Sequence, residues 1–306
     1  MHVIVGMWGI LRSLSYTAES IEKFCLTPLR QRGYTFEIFV HTYNFSGPYV
    51  NSRSKEVGNV LNASSWRVLN PDYIFIEDQD IFDRRVNYAQ FENRGDAWNN
   101  GYSSLKNHIR ALNSLFHLTQ IIETTLKLRE IDGVIFLRPD VTYISELPGY
   151  LLPLFPNNTL FVPDFHRSCS GNEYNDRMAM GDVKSAIAYG NRLGFALEYS
   201  RTHKLHSESF AYYYLRFIKS INVIEIPFRF RRTRINGNFA ERDKGVISPE
   251  DEEAHQKLGK TPKSVGWYLR LFYGSKHLDY NSSNIFCSPN SRISHRTILK
   301  YKNMSF

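Results

Sequence analysis

The stretch His-Val-Ile-Val-Gly-Met-Trp-Gly at residues 2–9 is an apolar run that ends in a glycine. Such a run is typical of a buried strand that leads into a loop. Residues 15–29 then carry apolar side chains at helical spacing, with Ser15 or Thr17 as the expected N-cap, and residues 36–40 form a second apolar run. Because parallel neighbours need a helical crossover, this order predicts a doubly wound α/β sheet whose strands are mostly parallel.

The middle of the chain continues the alternation of helix and strand. The clearest helical periodicity runs from Leu105 to about Arg129 and leads into the apolar run 133–137, which is predicted to be a central strand. Residues 44–100 are polar and are predicted to be mainly surface loops. The remaining predicted elements are strands at 66–69, 73–76, 159–162 and 222–226, and helices at 183–200 and 207–220.

The charge balance limits the partners. The chain has 306 residues with 42% hydrophobic side chains, enough for a large core, and its 38 Lys and Arg against 30 Asp and Glu give a net charge of +8. A positive surface favours polyanionic partners. No recognition-helix, zinc-finger or RNA-motif signature is present, so no specific nucleic-acid partner is expected. Phosphates on a small donor suit the charge, as do those of a membrane surface in peripheral contact.

Two features bear on the cellular location. The apolar run at 2–11 is too short to span a bilayer and has no cationic leader, so we expect neither a transmembrane segment nor a signal peptide. The cysteines Cys25, Cys169 and Cys287 are odd in number and far apart, which favours reduced thiols over disulfides or a zinc site. A cytoplasmic protein is therefore expected.

Polar side chains follow three of the predicted strands. Arg12 and Ser13 follow the first, Arg138 and Asp140 the central one, and Asp164 the next along the chain. Because ligands of open parallel sheets bind outside the carboxyl ends of the strands, these residues predict a binding cleft. The alternative is that Arg-Pro-Asp is only a turn, since Pro and Asp are common in turns. Its position favours the cleft, because a carboxylate at a strand tip can hold a divalent cation against a pyrophosphate.

A second group of polar residues lies in the box Asn175–Asp182. It places two carboxylates, an amide and a guanidinium within a few residues, directly before a predicted helix. Asp182 is expected to cap the helix that begins at Val183. Asp176 and Arg177 lie too far upstream for that role, and side chains of this kind can bind sugar hydroxyls. We therefore predict that both are site residues.

Glu208 stands at the start of the helix predicted at 207–220. Its default role is structural, with Ser207 as the N-cap and Glu208 complementing the helix dipole. The alternative is a general base, which requires that Glu208 face the cleft within hydrogen-bond reach of an acceptor hydroxyl. The histidines show no metal-ligand spacing and are interpreted as structural or surface residues.

A run of arginines follows the last predicted strand, at Arg229, Arg231, Arg232 and Arg234. Guanidinium groups suit phosphate oxygens, and Arg232 and Arg234 are predicted to bind the donor. Charged residues also protect edge strands from aggregation, which explains some of the run without a ligand.

Four motifs carry a resemblance to a known family. They are Gly9-Ile10-Leu11-Arg12-Ser13-Leu14, the His41-Thr42-Tyr43 that ends the second strand, Arg138-Pro139-Asp140, and the box that begins at Asn175. Over about residues 1–235 the chain resembles glycosyltransferases of bacterial polysaccharide loci and of large DNA viruses such as the chloroviruses. The resemblance implies a GT-A-type fold and transfer of a sugar from a nucleotide-sugar donor.

The resemblance also implies roles for single residues. Asp140 matches the last acid of the Asp-x-Asp motif, which in GT-A enzymes holds a divalent metal on the donor pyrophosphate. Asp176 and Arg177 would lie near the donor sugar, with Asp176 a catalytic candidate, and Glu208 would match the base of inverting enzymes. Together with the reasoning from strand ends and guanidinium groups above, the predicted donor-binding set also includes Gly9, Arg12, Ser13, Arg138, Asp164, Arg232 and Arg234.

The chain departs from the motif at Arg138, which stands where the family has its first acid. A single carboxylate holds a metal weakly, and an arginine can itself neutralise a pyrophosphate. Binding of Mn²⁺ or Mg²⁺ by Asp140 is therefore left open.

We expect a hexosyl- or pentosyltransferase that moves a sugar from a UDP- or GDP-sugar to a glycan acceptor, with inversion favoured. The catalytic domain is predicted at 1–235, with a C-terminal extension at 236–306 that packs on it and has an amphipathic piece near 265–273. A non-catalytic carbohydrate-binding or assembly module of the same fold stays open. A sulfo- or phosphotransferase is disfavoured because the chain lacks Gly-x-x-x-x-Gly-Lys-Ser/Thr.

Overall fold

The computed structural model describes residues 1–257 except 52, 53, 55, 60, 63, 155, 156 and 168–170. Strands in this part are β1 (His2–Trp8), β2 (Thr35–Asn44), β3 (Tyr49–Asn51), β4 (Glu56–Asn59), β5 (Tyr73–Asp78), β6 (Gly133–Leu137), β7 (Val141–Tyr143), β8 (Thr159–Pro163), β9 (Met178–Gly181), β10 (Asn222–Ile226) and β11 (Phe230–Arg232). Helices are α1 (Leu14–Ile21), α2 (Thr27–Gln31), α3 (Gln79–Arg85), α4 (Ser103–Leu126), α5 (Val183–Gly190), α6 (Leu193–Thr202), α7 (Ser207–Tyr213) and α8 (Pro249–Lys257).

The central sheet has seven strands in the order β10-β8-β9-β6-β1-β2-β5. β1 pairs in parallel with both β2 and β6, and β5 and β10 also pair in parallel with their neighbours. β9 is reversed and runs antiparallel to β6 and β8 on its two sides. A mostly parallel sheet flanked by helices confirms the predicted α/β, GT-A-like fold class.

Two apolar layers enclose the sheet, because the inner strands alternate their side chains between two buried faces. On one face, Ile4 and Phe136 pack with the inward side of α4, which repeats Leu105, Ile109 and Leu112 at helical spacing. On the other face, residues such as Val5 pack against the helical segment 14–31. The strands take part in this packing as far as their carboxyl ends, and the polar residues that follow them can form a binding site.

Most predicted helices are confirmed, with corrections at their ends. Neither Ser15 nor Thr17 caps the first helix. It begins after Ser13 and continues through a π-helical turn at Glu22–Leu26 into α2. α4 confirms the strongest helical periodicity. Asp182 caps α5 as predicted, because its side chain accepts a hydrogen bond from the amide of Ser185.

Two predictions for the middle of the chain were wrong. Residues 66–69 lie in a 3₁₀ helix, Ser65–Leu69, rather than in a strand. The helix ends at Asn70, which has a left-handed backbone conformation. The stretch at 44–100 contains the predicted strand at 73–76 as β5, but it is more structured than expected because it also contains the β3–β4 hairpin and α3. The helix predicted at 183–200 is two helices, α5 and α6, with a break at Asn191 and Arg192.

The segment after β10 returns to the strand ends, where β11 pairs antiparallel with β7. The amphipathic piece at 265–273 lies outside the described residues, as do Cys169 and Cys287. Cys25 is a buried free thiol. No helix in the described part of the chain is both long and apolar enough to cross a membrane.

Candidate active site

The reversed strand β9 brings two of the predicted motifs together. Leu137 at the end of β6 pairs with Met178 at the start of β9. Antiparallel pairing therefore places the residues after β6 beside the residues before β9, so Arg138 and Asp140 lie next to Asp176. Parallel pairing would have put the two motifs at opposite edges of the sheet.

A cavity of about 500 Å³ opens at this junction. The described residues that line it include eight arginines but four carboxylates, which are Asp140, Glu173, Asp176 and Glu208. Guanidinium groups stay charged at physiological pH, so the side chains that line the cavity carry more positive than negative charge. A cavity of this size and charge suits a small anionic ligand.

Asp140 forms the centre of an arginine cluster. Its Oδ1 accepts a hydrogen bond from Arg138 Nε at 2.9 Å, and its Oδ2 accepts from Arg138 Nη2 at 2.9 Å and from Arg12 Nη2 at 2.7 Å. Burial alone would raise the pKa of Asp140, but the charges of Arg138 and Arg12 outweigh it and hold the pKa well below its ordinary value. The carboxylate is therefore ionised and fixes both guanidinium groups at the end of β6.

These partners do not suit a divalent cation. Both oxygens of Asp140 already accept hydrogen bonds from arginines, and a cation there would meet two positive charges. Among the described residues, no group of three or more His, Cys, Asp or Glu side chains could hold a metal ion. Hard divalent cations need several oxygen ligands, so the donor set of the predicted Asp140 site does not fit one.

Arg234 adds a weakly compensated charge to the cluster. Its nearest carboxylate oxygen in the described chain is Glu56 Oε2 at 3.9 Å, and its guanidinium donates no hydrogen bond to a described residue. Burial and then the neighbouring charges of Arg12 and Arg232 lower its pKa from the ordinary value. An anion bound between these groups would relieve their repulsion.

Arg232 differs from Arg234 because it is fully paired. Its Nε and Nη2 donate to Asp243 at 2.9 and 2.6 Å, and its backbone amide donates to the same carboxylate at 2.6 Å. Arg231 likewise donates to the carbonyl of Val246. Much of the arginine run therefore holds the returning C-terminal segment in place, and Arg234 is the member best placed to bind a ligand.

An acid pair lies beside the arginine cluster, bridged by Arg177. Arg177 Nη2 donates to Glu208 Oε1 at 2.9 Å, and Arg177 Nη1 lies 3.4 Å from Asp176 Oδ1. Asp176 Oδ1 and Arg177 Nη1 are buried and have no hydrogen-bond partner among the described residues. The two atoms form an ion pair without a hydrogen bond, so sugar hydroxyls that reach them can supply the missing hydrogen bonds.

The two carboxylates of this pair have opposite pKa shifts. Burial opposes ionisation of Glu208, but Arg177, His206 and the Ser207 hydroxyl lower its pKa to about 2. Burial raises the pKa of Asp176, and the negative charge of Glu208 adds to the rise. Asp176 is therefore the stronger base of the two near neutral pH.

Gly9 supports the arginine cluster through its backbone. It has a φ of +98°, which only glycine adopts easily, and an added Cβ would contact the guanidinium carbon of Arg138 at 3.4 Å. Its amide donates to Ser114 Oγ on α4 at 2.8 Å, and the same hydroxyl contacts the ring of His41. The glycine thus lets the β1 loop pass close to Arg138.

The structure brings together nine of the predicted site residues in the lining of the cavity: Gly9, Arg12, Arg138, Asp140, Asp176, Arg177, Glu208, Arg232 and Arg234. Ser13 and Asp164 do not line it. Ser13 is buried at the N-cap of α1, and Asp164 is buried in an ion pair with Arg229. Asp164 lies at the end of β8, which β9 separates from β6, and this explains its distance from the cluster.

The sequence interpretation missed other residues that line the cavity. They are mostly aromatic or neutral and include Trp98, Asn107, His108, His166 and His206. The histidines were predicted to be structural or surface residues, since no metal-ligand spacing linked them. Their position at the cavity depends on contacts between distant parts of the chain, which the local sequence does not show.

Comparisons with known proteins add little to this geometry. No family model matches the chain, and no curated protein matches it either. Among solved structures, the apo form of mouse xyloside xylosyltransferase 1 is similar with a TM-score of 0.35 and 11% identity, covering 74% of this chain and 85% of that chain. At this identity the likeness concerns the fold alone, and it does not test the resemblance to viral and bacterial proteins. What the chain does must be inferred from its cavity.

Proposed function

We propose that the chain is a glycosyltransferase that moves a hexosyl or pentosyl group from a UDP- or GDP-sugar to a glycan acceptor. The observation that carries this proposal is that a cluster of arginines and a pair of carboxylates lie side by side in one cavity. A cluster of guanidinium groups at Arg12, Arg138 and Arg234 lies beside the acid pair Asp176 and Glu208. Glycosyl transfer needs both, because a diphosphate leaves as an anion and an acceptor hydroxyl loses its proton.

The arginine cluster is suited to stabilise the leaving group. Asp140 fixes Arg12 and Arg138 before a ligand arrives, so their orientation costs little at the moment of reaction. Arg234 supplies a further charge that no hydrogen bond to a described residue engages. Guanidinium forks match phosphate oxygens geometrically. This chain therefore stabilises the diphosphate with arginines, and Asp140 serves to position them.

The acid pair is suited to bind the sugar and remove the proton. Arg177 holds Glu208 as an anion and leaves its own Nη1 and Asp176 Oδ1 available to hydroxyls. Asp176, with its raised pKa, accepts the proton of the acceptor hydroxyl, while Glu208 positions Arg177. Attack by this acceptor hydroxyl on the face of the sugar opposite the departing diphosphate gives inversion at the anomeric carbon.

A thermal-shift screen against UDP-, GDP-, CMP- and dTDP-sugars tests the proposal, each with EDTA and with Mn²⁺. A ligand that binds the folded state raises the melting temperature. We expect a shift with UDP- or GDP-sugars that persists in EDTA, and release of nucleoside diphosphate on incubation with a glycan. Binding without release would favour a non-catalytic module, and no shift with any donor would refute the proposal.

A further inference from the structure

Neighbouring side chains along the cavity wall form a series that gives the cavity two chemically different ends. Asp176 lies within electrostatic reach of Arg138, and Arg177 bridges Asp176 to Glu208. Glu208 Oε2 then lies 3.6 Å from His206 Nε2, and the His206 ring lies 5.1 Å from the Trp98 ring. The acid pair therefore separates an arginine end from an aromatic end.

The loop that carries Trp98 is held in place before any ligand binds. The carboxylate of Asp96 accepts hydrogen bonds from the amides of Trp98, Asn100 and Tyr102 at 2.9, 2.6 and 3.0 Å. This turn leads directly into α4. Trp98 is half-buried: its indole packs against the core on one side and lines the cavity on the other, so it offers a fixed surface to a ligand.

The end of the cavity beside Trp98 also contains polar groups that have no role in the proposed glycosyl transfer. His108 lies 6.1 Å from the Trp98 ring at a T-shaped angle, and His108 Nε2 is buried with no hydrogen-bond partner among the described residues. Glu173 and Asn107 also line the same cavity. Burying an unpaired polar nitrogen is unfavourable, so its presence points to a ligand that supplies the partner.

A saccharide has the chemistry that this end of the cavity requires. One face of a pyranose ring presents C–H bonds that pack on an aromatic ring, and its edge presents hydroxyls to carboxylate, amide and imidazole groups. We propose that Trp98, His108, His206 and Glu173 form the acceptor subsite, with an acceptor sugar stacked on Trp98. This inference rests on the proposed function, because it assigns the arginine end to the donor.

The sequence of side chains along the cavity wall then determines which end binds the acceptor and which end binds the donor. A sugar on Trp98 presents a hydroxyl towards the acid pair, and the donor diphosphate lies on the far side at Arg138. The arginine at this end, Arg110, is already engaged by Asp83 and Asn107, so we assign a neutral sugar to the ring in contact with Trp98.

The test uses Trp98→Ala and Trp98→Phe, with Phe217→Ala as an exposed aromatic control outside the cavity. Saturation-transfer NMR with a panel of neutral methyl hexosides and pentosides measures saccharide binding, and thermal shift with UDP- and GDP-sugars measures donor binding. We expect Trp98→Ala to weaken binding of the methyl glycosides by about tenfold, which corresponds to about 1.4 kcal/mol, because the stacking contact is lost. Trp98→Phe should retain part of the binding, and both variants should bind donor as the parent does.

The outcomes separate this inference from the proposed function. If the parent binds none of the methyl glycosides, or Trp98→Ala binds them unchanged, the acceptor subsite is refuted. A parallel loss of donor binding would also refute it, because Trp98 would then belong to the donor end. If the parent binds methyl glycosides through Trp98 but no nucleotide sugar, the proposed function fails while the saccharide subsite stands. His108→Phe, which keeps the ring and removes the unpaired nitrogen, provides a second variant and should weaken glycoside binding without changing the melting temperature much.

Discussion

At Asp140, one buried carboxylate holds two guanidinium groups. We expect Asp140→Asn to lower turnover by about 10²- to 10³-fold, as when one preorganised contact to a developing charge is lost. We also expect the free energy of unfolding to fall by about 1–3 kcal/mol, because Arg138 loses its carboxylate partner while Arg12 keeps its ion pair with Glu56. Turnover and urea unfolding should be measured on the same variant. Undiminished turnover would favour a simple turn at Arg138-Pro139-Asp140.

Arg234 allows a cleaner test of donor binding, because it makes no hydrogen bond to a described residue. Arg234→Ala should raise the donor KM by about ten- to a hundredfold, the usual value of one charge-assisted hydrogen bond. Its stability should stay level or rise slightly, since the repulsion from Arg12 and Arg232 is relieved. Arg30→Ala removes an exposed arginine paired with Glu22 and serves as the control. A donor KM equal to that of the control would contradict the role of Arg234.

The acid pair makes a prediction about pH. A base works only when deprotonated, so the raised pKa of Asp176 places the acid limb of the profile of kcat/KM above the ordinary range of a carboxylate. Replacing Glu208 by Gln removes a negative charge that raises this pKa, while Arg177, Arg192 and Arg138 continue to lower it. The acid limb of Glu208→Gln should therefore shift to lower pH.

The same profile distinguishes the two carboxylates as bases. Asp176→Asn should abolish the acid limb and reduce turnover by about 10²- to 10⁴-fold, the usual contribution of a general base. If the limb instead disappears in Glu208→Gln and persists in Asp176→Asn, Glu208 is the base, as the sequence resemblance implies.

At the scale of elements, the packing of α5 against α4 depends on Gly190. A Cβ at this position would lie 1.8 Å from Thr119 Oγ1 and 2.8 Å from Thr119 Cβ. Gly190→Ala should therefore lower the free energy of unfolding by about 1–3 kcal/mol or more, as overpacking does. Gly194→Ala is the matched control, because nothing lies within 4 Å of an added Cβ in α6. That control should be neutral or stabilising by up to about 1 kcal/mol. Equal effects of the two substitutions would contradict the close helix contact.

Elements with a long, regular pattern could be predicted from the sequence. α4 has a 3.6-residue apolar period over many turns, and the inner parallel strands are continuous apolar runs. The 3₁₀ segment Ser65–Leu69 could not be separated from a strand, because five residues carry too little periodicity. β9 is four residues long and buried throughout, so its sequence showed only an apolar core within a polar box.

The site could be predicted as far as the strand ends define it. Arg138 and Asp140 were found because they follow a predicted strand, and the box before β9 was found because polar side chains cluster there before a predicted helix. Their contact depends on the reversed direction of β9, which no local pattern indicates. Trp98 and His108 enter the cavity from a loop and from α4, far from any strand end, so their role emerged only from the packed structure.

At the scale of the molecule, Asp243 fixes the C-terminal segment that contributes arginines to the cavity. It is fully buried and accepts three hydrogen bonds from Arg232. Asp243→Ala should lower the free energy of unfolding by about 1–3 kcal/mol, the cost of leaving such donors unpaired, and should weaken donor binding as well. Glu241→Ala, an exposed acid in the same turn, is the control. Weaker stability with unchanged donor affinity would show that the segment holds the fold without shaping the donor end.

The position of β9 also has a consequence for how the molecule is built. β8 precedes β9 in the chain but lies outside it in the sheet, so β6 keeps an open edge until Met178–Gly181 enters. Until β9 is in place, β8 and β10 cannot pair with the rest of the sheet. Pairing between distant segments is slow because long loops must close first. The insertion that completes the sheet is the same event that delivers Asp176 and Arg177 to the cavity. During refolding, ligand binding should therefore appear when β9 pairs with β6. A chain in which β9 has not paired would have an incomplete sheet and an incomplete binding site.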